Sequence, residues 1–378
     1  MAMKATPFTR MFPKSPKIKD GDKEPTINEY MPMNVKNKNE GAFGKVYQVR
    51  EKKTDAIYAM KIISKAKVRE YQMVEEIRRE IRILYQLSHP NIIKMNNHFE
   101  DKSNVYLVME WVGGGDLYKR LCKKKVLTEE ETAAIIRQLI LSLEYLHSLN
   151  PPLIHRDIKP ENILMAGDQI KLIDFGWSNF IVDNKKRETL AGTPAYLPPE
   201  MIDGIPHDQR LDLWNVGVLT FELLAGYPPF SSPGQTEREL HKNIVNIAVK
   251  YPSDFPAEAK DFVMKLLKRN PAQRLPLSEI KAHPWLVKFF PNRESFHQKL
   301  PSNRQLLPAN IGDDDPIVVV DENVGEESKS DDVDGPLAKL KAAVEEVLSS
   351  SGSKRDQTLK LFKEWLQLAS PNATSATG

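Results

Sequence analysis

A single cysteine, Cys122, stands among 378 residues, so no disulfide can close within the chain. That scarcity points to a reducing compartment, with Cys122 read as an inert structural thiol. Long apolar runs are missing too: nothing approaches the roughly 18 uninterrupted apolar residues of a membrane-spanning helix, so no membrane association is expected. The opening segment MAMKATPFTRMFPKSPKIKD lacks an apolar stretch followed by a small-residue cleavage site, and no secretory leader is expected. An excess of one charge is also absent, since 54 Lys and Arg face 51 Asp and Glu for a net +3. That balance gives no argument for direct nucleic-acid binding or for a membrane surface. No internal repeat is found.

What is present is enough apolar sequence, 40% of residues, for one large domain with tails. Residues 1–32 mix Lys, Pro, Asp and Thr without period and read as a disordered basic tail, with regular structure beginning near Asn34. From there short β-rich runs, KVYQVRE, DAIYAMKII and NVYLVMEW, surround one helical stretch, VEEIRREIRILYQL, whose Ile77, Ile81, Leu84 and Leu87 recur at helical spacing. After Gly113-Gly114-Gly115 the pattern becomes long amphipathic helices, such as EEETAAIIRQLILSLEYLHSL and RLDLWNVGVLTFELLAG, separated by Pro- and Gly-rich loops. The class is α+β: a small antiparallel sheet with one helix, then a larger helical lobe, together spanning 33–290. Residues 291–335 form an acidic linker with ten acids against Lys329 between Asp313 and Asp334, expected to be disordered. Residues 336–368 read as a helical tail with an apolar stripe that includes Trp365, and 369–378 as a disordered terminus.

The chemistry is concentrated in a few residues at fixed offsets. Gly41-Ala42-Phe43-Gly44-Lys45-Val46 is by itself an ordinary turn between strands, yet its glycines allow a phosphate to approach the backbone closely. Lys61 follows in an apolar strand, flanked by Tyr58, Met60, Ile62 and Ile63, where a buried ammonium needs an anionic partner. Glu80 on the helix, beside the apolar register of Ile81 and Leu84, is preferred as that partner over Glu75 and Glu76, which sit at the helix entry where acids complement the dipole. Then come His155-Arg156-Asp157-Ile158-Lys159-Pro160-Glu161-Asn162 and, twelve residues after the asparagine, Asp174-Phe175-Gly176. Alone, an Arg-Asp pair or an Asp-Phe-Gly turn is common loop chemistry. Together they match what phosphoryl transfer demands: an aligned hydroxyl, neutralised oxygens and metal ligands from separate segments. Asp157 can orient a hydroxyl and accept its proton, Lys159 can steady phosphate charge, and Asn162 and Asp174 offer hard oxygens to Mg²⁺.

These residues together resemble the eukaryotic protein kinases over about residues 33–290. Tyr196-Leu197-Pro198-Pro199-Glu200, Asp212-Leu213-Trp214-Asn215-Val216-Gly217 and Arg274 agree with that family's helical lobe, where Glu200 and Arg274 are expected to pair. Asp174-Phe175-Gly176-Trp177-Ser178, Thr189-Leu190-Ala191-Gly192-Thr193 and the run from Leu197 to Ile202 most resemble the Aurora kinases. The resemblance implies the two-lobed protein kinase fold and a serine/threonine kinase that transfers the γ-phosphate of ATP with Mg²⁺. It further implies action in mitosis at the spindle, centrosome or chromosomes, within cytoplasm and nucleus, and an activating protein on the small lobe.

By the same resemblance Val46, Ala59 and Leu164 line the adenine slot, Met109 is the gatekeeper, and the backbones of Glu110 and Val112 make hinge hydrogen bonds. Asp116 and Glu161 resemble positions that hold substrate arginines or, for Asp116, the ATP ribose, which favours protein substrates with basic residues upstream of the target. Thr193 is expected where the substrate passes Asp157 and Lys159. Thr189 is the expected activating phosphorylation site, its charge received by Arg79, Arg156 and Arg187. Several positions depart from the family: Asn39 replaces the first loop glycine, Lys38 an apolar residue over the adenine, the loop with Asn150-Pro151-Pro152 is longer, and Asp116 is acidic where Auroras usually are not. The competing expectations are a calcium/calmodulin-dependent-like or polo-like kinase, or a kinase-fold scaffold with weak catalysis.

Overall fold

The computed structural model describes residues 11–12, 15–16, 23–33, 39–40, 44–176, 178–180 and 193–291. Gly41, Lys38, Arg187, Thr189, the acidic linker and the helical tail lie outside them. No helix among the described residues is long and apolar enough to cross a membrane.

The first lobe is built on one antiparallel sheet. Strands β1 (Tyr30–Pro32) and β2 (Asn39–Glu40) both pair with β3 (Gly44–Glu51), which leads through β4 (Ile57–Ser64) to β6 (Asn104–Glu110) and then β5 (Met95–Glu100). Alternation along β4 sorts its residues between two faces. Met60 packs into a small cluster with Tyr30, Val49, Phe99 and Tyr106, where Phe99 stacks on Tyr106 at 4.8 Å and on Tyr30 at 5.7 Å. Ile63 joins the main core on the other side, and Lys61 shares its face.

Two helices follow β4 rather than one. A short α1 (Lys65–Glu70) precedes α2 (Val74–Gln86), whose Ile77, Ile81 and Leu84 are buried. Glu75 and Glu76 occupy the first turn of α2, as helix-dipole complementarity favours. The chain also becomes regular earlier than the composition suggests. β1 pairs Tyr30 with Glu51 and Met31 with Arg50, and Phe12, inside the segment read as a disordered tail, is buried. Isolated large apolar residues in a Lys- and Pro-rich background were averaged away by a compositional reading.

The second lobe begins with α3 (Leu117–Lys124) and α4 (Glu129–His147). α4 starts on Thr128, whose hydroxyl accepts from Glu131 N, and carries three acids in its first turn. Short strands follow in loops, with β7 (Leu153–Ile154) pairing β10 (Asn179–Phe180) and β8 (Ile163–Ala166) pairing β9 (Gln169–Leu172). After the single-turn α5 (Pro199–Ile202), α6 (Arg210–Ala225) runs through the core and buries residues on every side, from Leu211 to Leu223. Gly226 ends it at φ 86°, a left-handed C-terminal stop that glycine adopts without penalty. Helices α7 (Glu237–Val245), α8 (Ala257–Leu266), α9 (Leu277–Ile280) and α10 (Pro284–Phe289) complete the lobe. α8 packs Phe262 and Leu266 into the α6 core.

Candidate active site

Lys61 lies mid-strand in β4, opposite Val46 of β3 and Leu107 of β6. Its Nζ donates to Glu80 Oε1 at 3.0 Å, and Glu80 is 5% exposed although it stands on a helix. Burial by itself would lower the Lys61 pKa, but Glu80 and Asp174 hold it above its ordinary value. The ammonium is therefore charged and aimed between two segments. Glu75 faces elsewhere, paired with Arg78 at 2.6 Å.

Next to this pair, Ala59 sits opposite Met109 in the β4–β6 register. The Glu110 N–H is used by Lys94 O at 3.0 Å, so any bond from Glu110 to a nucleotide falls to its carbonyl. The Glu110 carboxylate is held by Lys171, and Val112 is buried. The connection between the lobes then passes so close to β8 that a Cβ on Gly114 would lie 2.1 Å from Met165 O. Only glycine fits there. Leu164 and Asp116 face each other across an isolated bridge. Asp116 is also the N-cap of α3, accepting Lys119 N at 2.8 Å, with Lys119 Nζ at 2.7 Å from its other oxygen.

The catalytic loop is held from below by Asp212, buried in α6. Its carboxylate accepts His155 N at 3.1 Å, Arg156 N at 2.9 Å and a contact from His147 Nε2 at 2.8 Å. Burial would raise the Asp212 pKa, yet His147, His155 and the Arg156 N–H outweigh it and hold the carboxyl below the usual range. Arg156 has φ 72°, a left-handed backbone that costs on the order of 1–3 kcal/mol in a non-glycine residue. The two N–H bonds to Asp212 offset that cost. His155 packs edge-on against Phe175 at 4.9 Å and reaches Ile173 O at 3.1 Å, while Ile173 N donates to Asn162 O at 2.9 Å. These links lock the loop carrying Asp157 to the loop carrying Asp174.

Asp157 Oδ2 accepts Asn162 Nδ2 at 2.7 Å and lies 2.9 Å from Lys159 Nζ. Lys159 also donates to Thr193 Oγ1 at 2.9 Å. Asn162 Nδ2 bonds the Asp157 carbonyl as well, at 2.7 Å, which turns the amide oxygen the other way. Asp174, at φ 65°, accepts Gly176 N at 3.3 Å through Oδ1. A Cβ on Gly176 would meet that same oxygen at 3.3 Å and Glu80 Oε2 at 3.6 Å. Of the residues read as receiving a phosphate, Arg79 and Arg156 are described; Thr189 and Arg187 are not. Arg274 makes a forked pair with Glu200, at 2.7 and 2.5 Å, and both side chains are buried.

One acid escaped the sequence reading. Glu222 and Glu161 line a cavity of about 500 Å³ together with Tyr118, Thr193 and Tyr196. Burial, with Glu161 nearby, pushes the Glu222 carboxyl up to about 7 against the hydrogen bond from Tyr196 Oη. The signal was available, since Glu222 is an acid inside the apolar run VLTFELLAG. Cys122 is exposed at the same cavity rather than part of the core.

The fixed lysine–glutamate pair and the locked Asp157 and Asp174 loops have their counterpart in known sequences. Residues 37–286 match the model of the protein kinase domain. The chain is 45% identical over 247 residues to Aurora kinase B of Mus musculus, covering 65% of this chain and 70% of that one. It is 43% identical over 250 residues to the Aurora kinase of Schizosaccharomyces pombe, covering 66% and 69%, and 41% identical to Aurora kinase C of Mus musculus, covering 65% and 88%. The chain belongs to the protein kinases, in the Aurora family. The kinase is thus a serine/threonine protein kinase of the two-lobed α+β fold, and the family uses ATP with Mg²⁺.

The described residues fit that requirement. Among them no group of three or more His, Cys, Asp or Glu could hold a metal alone. Mg²⁺ commonly takes only one or two protein ligands and completes its shell with phosphate oxygens and water. Asp174 and Asn162 would offer such oxygens, with Lys61 charged beside Asp174.

Proposed function

We propose that this kinase phosphorylates serine or threonine in proteins that carry arginine upstream of the target, and that it acts in mitosis. What carries the reading is the geometry around Asp157: an acid ordered by Asn162 and Lys159, beside an acidic cavity lined by Glu161 and Glu222. Lys61, set by Glu80, takes phosphate oxygens of ATP, with Gly41 and Gly44 allowing close backbone approach and Val46, Ala59, Leu164, Met109, Glu110 and Val112 around the base. Asp174 and Asn162 would hold Mg²⁺, which would neutralise phosphate charge when bound. Asp157 orients the incoming hydroxyl and accepts its proton, while Lys159, anchored on Thr193, steadies the moving phosphoryl charge. Glu161 and the ionised form of Glu222 receive a guanidinium, for which a forked carboxylate contact is selective.

Thr189 is the activating site in this reading, its phosphate received by Arg79, Arg156 and Arg187. Its place of action is the spindle, centrosome or chromosomes, with an activating protein on the small lobe. Two measurements test the core of it: Mg²⁺-dependent thermal stabilisation by ATP, and phosphate transfer to serine peptides with and without an upstream arginine. Stabilisation that is lost in Asp174→Asn, with transfer favouring the arginine peptide, is the expected result. Transfer indifferent to arginine removes the substrate reading. No stabilisation and no transfer by the Thr189-phosphorylated protein favours a scaffold.

A further inference from the structure

Three residues of the N-terminal segment are bound to the back of α2. Phe12 is 2% exposed and is buried in the main apolar core. Glu100 accepts the backbone N–H of Met11 at 2.9 and 3.1 Å and that of Phe12 at 3.1 Å. Arg78 on α2 donates to the Met11 carbonyl through Nε at 3.1 Å and Nη2 at 2.7 Å. Further on, Ser15 Oγ lies 2.8 Å from Tyr85 Oη, which lies 2.9 Å from His98 Nδ1. The segment is thus held at its backbone by one acid and one guanidinium, and its Phe12 side chain is buried.

The placement ties α2 to the sheet. Arg78 and Tyr85 belong to α2, whereas Glu100 and His98 belong to β5 of the sheet. Glu100 is itself fixed by Lys65 at 2.7 Å, with both side chains nearly fully buried. Arg78 stands two residues before Glu80, hence about 200° around the helix from it, so the segment grips α2 opposite the face that presents Glu80 to Lys61. A helix joined to a sheet by few contacts can rotate or slide, and a contact on its back selects one of its positions.

We propose that Met11, Phe12 and Ser15 form an intramolecular positioning element that holds α2 on the sheet with Glu80 against Lys61. These are positioning residues, acting through α2. The proposal rests on reading the Lys61–Glu80 pair as needed for catalysis, and Glu80→Gln checks that reading separately. The test compares full-length wild type, Phe12→Ala and Ser15→Asp by amide hydrogen exchange over residues 74–86 and by steady-state kinetics. Ser15→Asp puts a charge where a buried hydroxyl lies, so it expels the segment without removing core volume from α2 itself.

Both variants should exchange at least tenfold faster over 74–86 and lose at least fivefold in kcat/KM for ATP. A synthetic peptide of residues 8–18 added in trans should restore protection and activity to Phe12→Ala. Unchanged exchange or unchanged kcat/KM in both variants, while Glu80→Gln is inactive, overturns the proposal. Failure of the peptide to restore either property also overturns it, because a damaged fold is not repaired by a ligand. Full activity of Glu80→Gln instead overturns the Lys61–Glu80 reading.

Discussion

Glu222→Gln should abolish one specific pH dependence. The carboxyl of Glu222 is pushed up to about 7 from an ordinary 4.5, and at 1.36 kcal/mol per unit that difference amounts to about 3 kcal/mol. Between pH 4.5 and 7 the folded protein holds this proton and the unfolded chain has lost it, so the contribution to stability falls as pH rises through that window. Above pH 7 the folded protein carries a buried carboxylate with a tyrosine hydroxyl as its hydrogen-bond donor. Urea unfolding of wild type and Glu222→Gln at pH 5, 6, 7 and 8 isolates the group, because every other titration cancels in the difference. The variant should gain on wild type by about 2.5 kcal/mol from pH 5 to pH 8. On the proposed recognition of a substrate guanidinium by ionised Glu222, KM for an arginine-containing peptide should fall as pH rises from 6 to 8 in wild type and change little in the variant. A stability difference that is flat from pH 5 to 8 refutes the burial argument for Glu222.

Two further outcomes follow from the packing. Asp212→Asn weakens the charge-assisted bonds that hold the left-handed Arg156, each worth about 1.5–3 kcal/mol; kcat should drop at least tenfold with KM for ATP nearly unchanged, read from initial rates. Gly114→Ala drives a Cβ into Met165 O, so the connection between lobes must shift; a loss of about 1–3 kcal/mol in urea unfolding and a raised KM for ATP are expected.

Much of the site was legible because phosphoryl transfer fixes residue types at fixed spacings. Lys61 and Glu80, nineteen residues apart, stand on adjoining elements whose periods place both on one interior face. Asp157, Lys159 and Asn162 fall within one short loop, so their proximity follows from chain connectivity. The Glu200–Arg274 pair, by contrast, spans 74 positions and was visible only through resemblance to a family. Three features stayed hidden. Asp212 reads as one acid in a helix until its carboxylate is seen to receive two backbone N–H groups from a distant loop. Glu222 is flagged by its place in the apolar run VLTFELLAG, but only the structure shows that α6 is buried all round and that Tyr196 and Glu161 lie beside it. Phe12 was lost in a basic, proline-rich stretch, since composition over a window hides a single anchoring side chain. In each case the missing information was a long-range contact, which local propensity does not encode.

The most direct test of the account is transfer of labelled γ-phosphate from ATP with Mg²⁺ to a serine peptide bearing an upstream arginine, by wild type and Asp157→Asn. General-base residues contribute typically about 10²–10⁴-fold. The variant should retain ATP-induced thermal stabilisation while its kcat falls by about that factor. A kcat for Asp157→Asn within threefold of wild type would contradict the assignment of Asp157 as the group that orients and deprotonates the attacking hydroxyl.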